Sequence, residues 1–119
     1  MKTINTILMT AVLALANITT GWAGAKGGAQ SNLYRLEGRM IQNFTVTFVG
    51  GEAAEVGVKG DGDTDLDLLV FDEFGNKVAS DEDNTDRCYV RWVPKWTGKF
   101  TIKVVNHGNV YNEFRIATN

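Results

Sequence analysis

The sequence predicts an antiparallel β-sandwich of about seven to eight strands. Three observations lead to this all-β fold class. Hydrophobic residues recur with a period of two from Phe44 onward, and the runs end in Gly, Asn or Asp turns. The runs are also short, and no long helical pattern separates them, as a parallel sheet with crossover helices would require.

Residues 1–25 are set apart from the fold. Lys2 precedes an apolar run from Ile7 to Ala16, and the segment closes on Ala23-Gly24-Ala25. A charged start, a short apolar run and a small-x-small close are typical of a secretory signal peptide, here cut after Ala25. The run is about half the roughly 20 residues that a membrane span needs. We therefore predict a signal peptide and a secreted protein, in the periplasm or outside the cell.

Residues 26–40 are predicted as a flexible or ambiguous leader. The segment begins with small and polar residues. Leu33, Leu36 and Met40 then fit a helical stripe, but Gly38 weakens that pattern. A helix and a leading strand both stay open for this segment.

The sandwich domain is predicted over residues 41–119. A turn at residues 106–109, with the sequence NHGN, precedes the last of its runs. The alternating runs, in chain order, are Phe44–Phe48, Ala54–Val58, Leu66–Val70, a short run at Val78, Cys88–Trp92, Phe100–Val104 and Val110–Ile116.

The charge balance and the positions of Cys88 and His107 argue against several classes of function. The chain has 14 acidic and 12 basic residues, and no basic stripe indicates nucleic acid as a partner. Cys88 is the only cysteine, and its place in an alternating run predicts a buried, inert thiol. His107 is the only histidine and is predicted to lie in a turn. Since no catalytic arrangement of nucleophile and base is evident, we predict that the protein is not an enzyme.

Ten of the fourteen carboxylates fall between Gly60 and Asp86. We predict a β-hairpin over residues 65–83 with a five-residue loop at 72–76, in which Val70 opposes Val78 on the core face. A slip by one residue is disfavoured because it would set Asp81 opposite Leu68 on the buried face. The predicted register instead places four carboxylates opposite one another on the outer face, as the pairs Asp67 with Asp81 and Asp65 with Asp83.

Like charges at opposed positions destabilise a strand pair, so these acids need compensation. One alternative is a calcium ion, which takes about six to eight oxygen ligands. The candidate metal ligands are Asp65, Asp67, Asp81 and Asp83. The other alternative is that the acids end strands through bonds to the backbone, near Arg87, Arg91 or Lys59. The EF-hand pattern is excluded, because Leu66 stands where that loop requires Gly.

The aromatic residues outside the core pattern are candidates for contact with a ligand. Phe71 and Tyr89 are out of phase with the core positions and should face outward. Together they would form a sticky or glycan-stacking patch, and apart they would be ordinary half-exposed residues. Trp92 is in phase with the core, and Trp96 is predicted to pack at one end of the sandwich.

Two stretches resemble the bacterial pre-peptidase C-terminal domain: GDGDTDLDLLVFDEFGNKVASDED and VRWVPKWTGKFTIKVVNHGNVYNEFRI. That family commonly shows a D-x-D-L-x-V-x-D strand, a Gly-Asn turn, Ser-Asp and then Pro-x-x-x-Gly-x-[FY]-x-I-x-V. The resemblance spans roughly Phe44 to Ile116. It implies a jelly-roll-like sandwich that is appended, without catalytic activity, to secreted hydrolases. The chain is also similar to the collagen-binding domains of clostridial collagenases, some of which bind calcium, which again implies Asp65, Asp67, Asp81 and Asp83 as ligands.

We therefore expect a secreted, non-catalytic module that binds a protein or polysaccharide partner, with calcium as the candidate cofactor. The alternative is an accessory or regulatory subunit that acts with a separately encoded secreted hydrolase. Neither nucleic acid nor, after signal cleavage, a membrane is an expected partner.

Overall fold

Eight antiparallel strands in two four-stranded sheets make up the computed structural model, which describes residues 24–119. The first sheet has the strand order β1-β8-β3-β6, and the second has the order β2-β7-β4-β5. This interleaved order is that of a jelly roll, so the predicted fold class is confirmed. The strands are β1 (Gln30–Leu36), β2 (Ile41–Phe48), β3 (Ala54–Lys59), β4 (Leu66–Phe71), β5 (Lys77–Asp81), β6 (Arg87–Trp92), β7 (Gly98–Asn106) and β8 (Asn112–Thr118).

The leader contains a strand, which decides between the two alternatives for that segment. β1 pairs with β8 along its whole length, from Gln30 opposite Thr118 to Leu36 opposite Asn112. The open edge of β8 supplies the backbone partners that these residues need. Of the predicted signal peptide, only its last two residues lie within the described range. No helix in residues 24–119 is long and apolar enough to cross a membrane.

The core lies between the sheets and follows the period of two. Fully buried side chains alternate along β4 and β7, and each contributes about 1.5–3 kcal/mol by leaving water. Cys88 belongs to this core, as predicted, with 5% of its surface exposed. Its Sγ–H donates to the Leu66 carbonyl at 3.2 Å, and burial raises the pKa of the thiol, which keeps it unreactive.

The predicted hairpin register holds at its tip and is wrong beyond it. β4 ends at Phe71 and β5 begins at Lys77, so the five-residue loop is confirmed, and Phe71 opposes Lys77 as predicted. A bulge then intervenes: Val70 opposes Ala79 and Leu68 opposes Asp81. Val78 is the extra residue of this bulge and is 37% exposed, so it does not lie in the core.

The tip of this hairpin is held by Asp72, whose carboxylate turns back into the loop. Its Oδ1 accepts the backbone N–H groups of Phe74 and Asn76, both at 2.9 Å, and its Oδ2 accepts Asn76 Nδ2–H at 3.1 Å. These bonds, chiefly that of the Asn76 backbone, lower the pKa of Asp72. The turn therefore fixes where the Phe74 side chain emerges.

A pH-dependent stability difference should follow from Asp72. Asp72→Asn keeps an oxygen acceptor and removes the charge. Because folding lowers this pKa, the carboxylate stabilises the fold above its unfolded-state pKa of about 4, and the gain is lost as pH falls through the folded-state pKa. Thermal melts should show wild type above the variant at and above about pH 5, with the gap closing in more acidic buffer. A gap that stays constant with pH would contradict this assignment.

Candidate functional site

The two ends of the sandwich differ in chemistry. The loops that follow β2, β4 and β6 gather at one end, which we call the tip end, and the other loops gather at the opposite end. The loops that follow β3 and β5 bring six of the ten acidic residues of the 60–86 stretch to that opposite end, which we call the acidic end. Of the acids in residues 60–86, Asp72 and Glu73 lie at the tip end.

A groove of about 420 Å³ lies at the tip end, between the loop at 72–76 and the loop at 93–97. We call it the tip groove. Its volume lies within the roughly 300–1,000 Å³ usual for ligand sites. The described residues that line it are Asp72, Asn76, Val78, Trp92, Val93, Pro94, Lys95, Trp96 and Phe100.

Large apolar side chains project around this groove. Phe74 is 70% exposed, Val93 is 56% exposed and Trp96 is 42% exposed. The rings of Phe74 and Trp96 are 5.9 Å apart between centroids and are inclined by 58°. Grouped apolar exposure of this kind marks interaction surfaces on folded proteins.

The floor of the groove is part of the core. Trp92 and Phe100 line the groove and pack on each other at 5.6 Å between centroids. Beneath them Phe48, which has no exposed surface, lies edge-on to Trp92 at 4.9 Å. The groove therefore rests on packed aromatic rings that hold its shape.

The wall formed by residues 93–97 is fixed to the loop after β2. Gly50 N–H donates to Thr97 Oγ1 at 2.9 Å, and Gly51 N–H donates to the Pro94 carbonyl at 2.7 Å. A Cβ at Gly50 would lie 2.5 Å from the backbone of Trp96, so only glycine permits this close approach. Trp96 therefore lies on a loop whose backbone is fixed by hydrogen bonds to the loop after β2.

The accessible charge in the groove lining is positive. Asp72 is 8% exposed and its carboxylate is engaged in the turn, whereas Lys95 is exposed. The sequence predicted Trp96 at an end of the sandwich but did not predict the groove. The one signal in the sequence was Phe74, a large apolar residue inside a turn of charged and small residues.

The four predicted metal ligands lie toward the acidic end but do not form one ligand set. Asp67 Oδ2 lies 2.7 Å from His107 Nε2, and Asp81 accepts the Tyr89 backbone N–H at 2.9 Å. Asp83 accepts the backbone N–H and the hydroxyl of Thr85 at 3.0 and 2.9 Å. Within residues 24–119, no group of three or more His, Cys, Asp or Glu side chains is placed to hold a metal ion.

Asp65 is the exception among these four acids. Its Oδ1 is buried and has no hydrogen-bond partner among the described residues. Burial, followed by the nearby charge of Asp67, raises the pKa of Asp65. The predicted opposition of Asp65 with Asp83 and of Asp67 with Asp81 is wrong, because the bulge shifts β5 by one residue. Calcium binding stays a prediction, with this one unpartnered oxygen in its favour.

Phe71 and Tyr89 do not form the joint patch that the sequence left open. Phe71 is in the second sheet, with Lys103 Nζ 5.2 Å from its ring centroid, and Tyr89 is in the first sheet and 40% exposed. Both face outward, so they lie on opposite faces of the sandwich. Cys88 is buried and His107 contacts Asp67, so these two residues do not form a nucleophilic pair.

No protein-family model matches the sequence, and no curated protein matches it. Solved structures do match its fold. The pre-peptidase C-terminal domain of a collagenase from Bacillus anthracis has a TM-score of 0.60 at 14% identity, and the match covers 76% of this chain and 88% of that one.

Two other structures are similar over most of their length. PliG from Aeromonas hydrophila, a periplasmic inhibitor of g-type lysozyme, has a TM-score of 0.60 at 13% identity, covering 82% of this chain and 87% of that one. The Yersinia pseudotuberculosis-derived mitogen has a TM-score of 0.52 at 10% identity, covering 77% and 85%. At these identities the likeness concerns the fold. It confirms, at the level of the fold, the resemblance of this chain to a pre-peptidase C-terminal domain.

Proposed function

We propose that this chain is a secreted, non-catalytic binding module that docks a protein partner through its tip groove. The observation that carries the proposal is the group of exposed Phe74, Val93 and Trp96 side chains around a preformed groove. Aromatic anchors beside a formed pocket are typical of the residues that dominate binding energy in protein interfaces.

The lining favours a protein over a polysaccharide. Sugar rings stack on flat aromatic faces, but the rings of Phe74 and Trp96 are inclined by 58° and offer no common plane. The side chains of Asp72 and Asn76, which line the groove, hydrogen-bond to each other and are therefore not available to bind the hydroxyl groups of a sugar. Lys95 adds a positive charge, so the fitting partner offers an apolar side chain next to a carboxylate.

Site-specific crosslinking tests the groove. A photo-reactive phenylalanine analogue replaces Phe74 or Trp96 in the full chain, in its native host. We expect both positions to crosslink to the same protein. The control position is Val110, which is 55% exposed in the loop between β7 and β8 at the acidic end. It should give no such product.

Binding of the purified partner then measures the contribution of each anchor. Trp96→Ala should weaken binding about 30-fold, or about 2 kcal/mol, because an interface anchor is lost, and Val110→Ala should not. The analogue is also placed at Tyr89, and crosslinks from that position without any from Phe74 or Trp96 would move the site to the face of the first sheet. A crosslinked product whose mass falls on treatment with glycosidases would show that the ligand is a polysaccharide. The absence of any crosslinked product from Phe74 and Trp96 would contradict binding at the tip groove.

A second candidate is an accessory or inhibitory subunit of a separately encoded secreted hydrolase. The observation that favours it is the likeness to PliG, over 87% of that chain. Adding the purified chain to g-type lysozyme should then lower cell-wall hydrolysis in proportion to the amount added, and Trp96→Ala should relieve the inhibition. Full lysozyme activity at excess chain would contradict an inhibitor of this enzyme.

Calcium is a separate part of the proposal, placed at the acidic end near Asp65. If calcium binds the folded chain, it raises the melting temperature by mass action, and a chelator reverses the rise. We expect Asp65→Asn to reduce that rise, since its unpartnered oxygen would be the first ligand, whereas Glu73→Gln at the tip end should keep it. Superimposable melting curves with calcium and with chelator would contradict calcium binding by the folded chain.

A further inference from the structure

The last two residues of the predicted signal peptide, Gly24 and Ala25, are built into the fold. Ala25 is 5% exposed, belongs to the hydrophobic core and forms a β-bridge with Phe48. Gly24 is also buried. Three backbone hydrogen bonds hold the segment: Ala25 N–H to the Asn119 carbonyl at 2.8 Å, Val49 N–H to the Gly24 carbonyl at 3.0 Å, and Lys26 N–H to the Thr47 carbonyl at 2.7 Å.

The position of Gly24 accepts only glycine. Its φ is +90°, which side chains of L-residues rarely adopt. A Cβ there would also collide with the side chain of Asn119 and would lie 2.7 Å from its backbone oxygen. That Asn119 side chain is itself fixed, because it accepts Glu55 N–H at 2.9 Å and donates to the Ala53 carbonyl at 3.0 Å.

A segment that is discarded has no need to fit the mature fold in this way. Cleavage after Ala25 would remove a core side chain, and it would take their partners from the N–H of half-buried Val49 and the carbonyl of buried Asn119. A second small-x-small cleavage motif, Gly21-Trp22-Ala23, lies two residues earlier in the sequence. Cleavage there keeps every contact described above.

We propose that signal peptidase cuts this chain after Ala23, so that the mature protein begins at Gly24. Water adds across the peptide bond between the two residues, which leaves a carboxylate on Ala23 and a free α-amino group on Gly24. This inference rests on the secretion that is part of the proposed function.

The amino terminus of the secreted protein tests the site directly. The full chain is produced in a bacterium with its signal peptidase, recovered outside the cytoplasm, and examined by amino-terminal sequencing and intact mass. We expect the sequence to begin Gly-Ala-Lys. A protein that begins Lys-Gly-Gly overturns the inference while secretion stands. A chain retained in the cytoplasm from Met1 overturns secretion itself, and this inference with it.

Two matched glycine substitutions provide an independent readout. A Cβ at Gly24 would collide with the fixed Asn119 side chain, whereas Gly27 has a φ of +95° but a Cβ there meets nothing within 4 Å. Gly24→Ala should therefore lower the melting temperature of the secreted protein more than Gly27→Ala does. If cleavage follows Ala25, residue 24 is absent from the mature protein and Gly24→Ala leaves its melt unchanged, which would overturn the inference.

Discussion

The contact of Phe48 with Trp92 joins the two sheets at the tip end, and much of the structure depends on it. Phe48 belongs to the second sheet and Trp92 to the first, and their rings lie edge-on at 4.9 Å. Such a pair adds about 0.5–1.5 kcal/mol to the burial of the rings themselves. The same Phe48 bridges Ala25 on one side and supports the floor of the tip groove on the other. The packing of the core and the shape of the tip groove therefore depend on the same side chain.

The jelly-roll order separates two kinds of chemistry along the long axis of the sandwich. Alternate loops fall at opposite ends, so the acids of one sequence stretch are divided between them. Asp72 shapes the tip from within a turn, while Asp67 and Asp83 bond to neighbouring groups at the other end. Acids that are neighbours in the sequence therefore make separate local contacts at the two ends of the sandwich. The apolar groove lies at the end with fewer of these acids.

The period of two was enough to predict the sandwich, the core face of each central strand and the five-residue loop at 72–76. It failed where a single hydrophobic residue had to define a strand. β5 contains only Val78 and Ala79 as guides, and the bulge exchanges their roles. β1 has one buried residue, Leu36, and becomes a strand through pairing with β8 far along the chain. The groove needs Phe74 and Trp96 to meet, which depends on strand order that local patterns do not contain.

The bond between Asp81 and the Tyr89 backbone has a consequence for association in solution. β5 and β6 are the outer strands at the same side of the two sheets, and unpaired backbone groups on such strands invite pairing with another chain. Asp81 occupies one of these N–H groups and places a negative charge at the open side. A second strand that approached this side would have to displace a carboxylate from its donor. We expect this contact to disfavour the addition of a strand from another chain at that side.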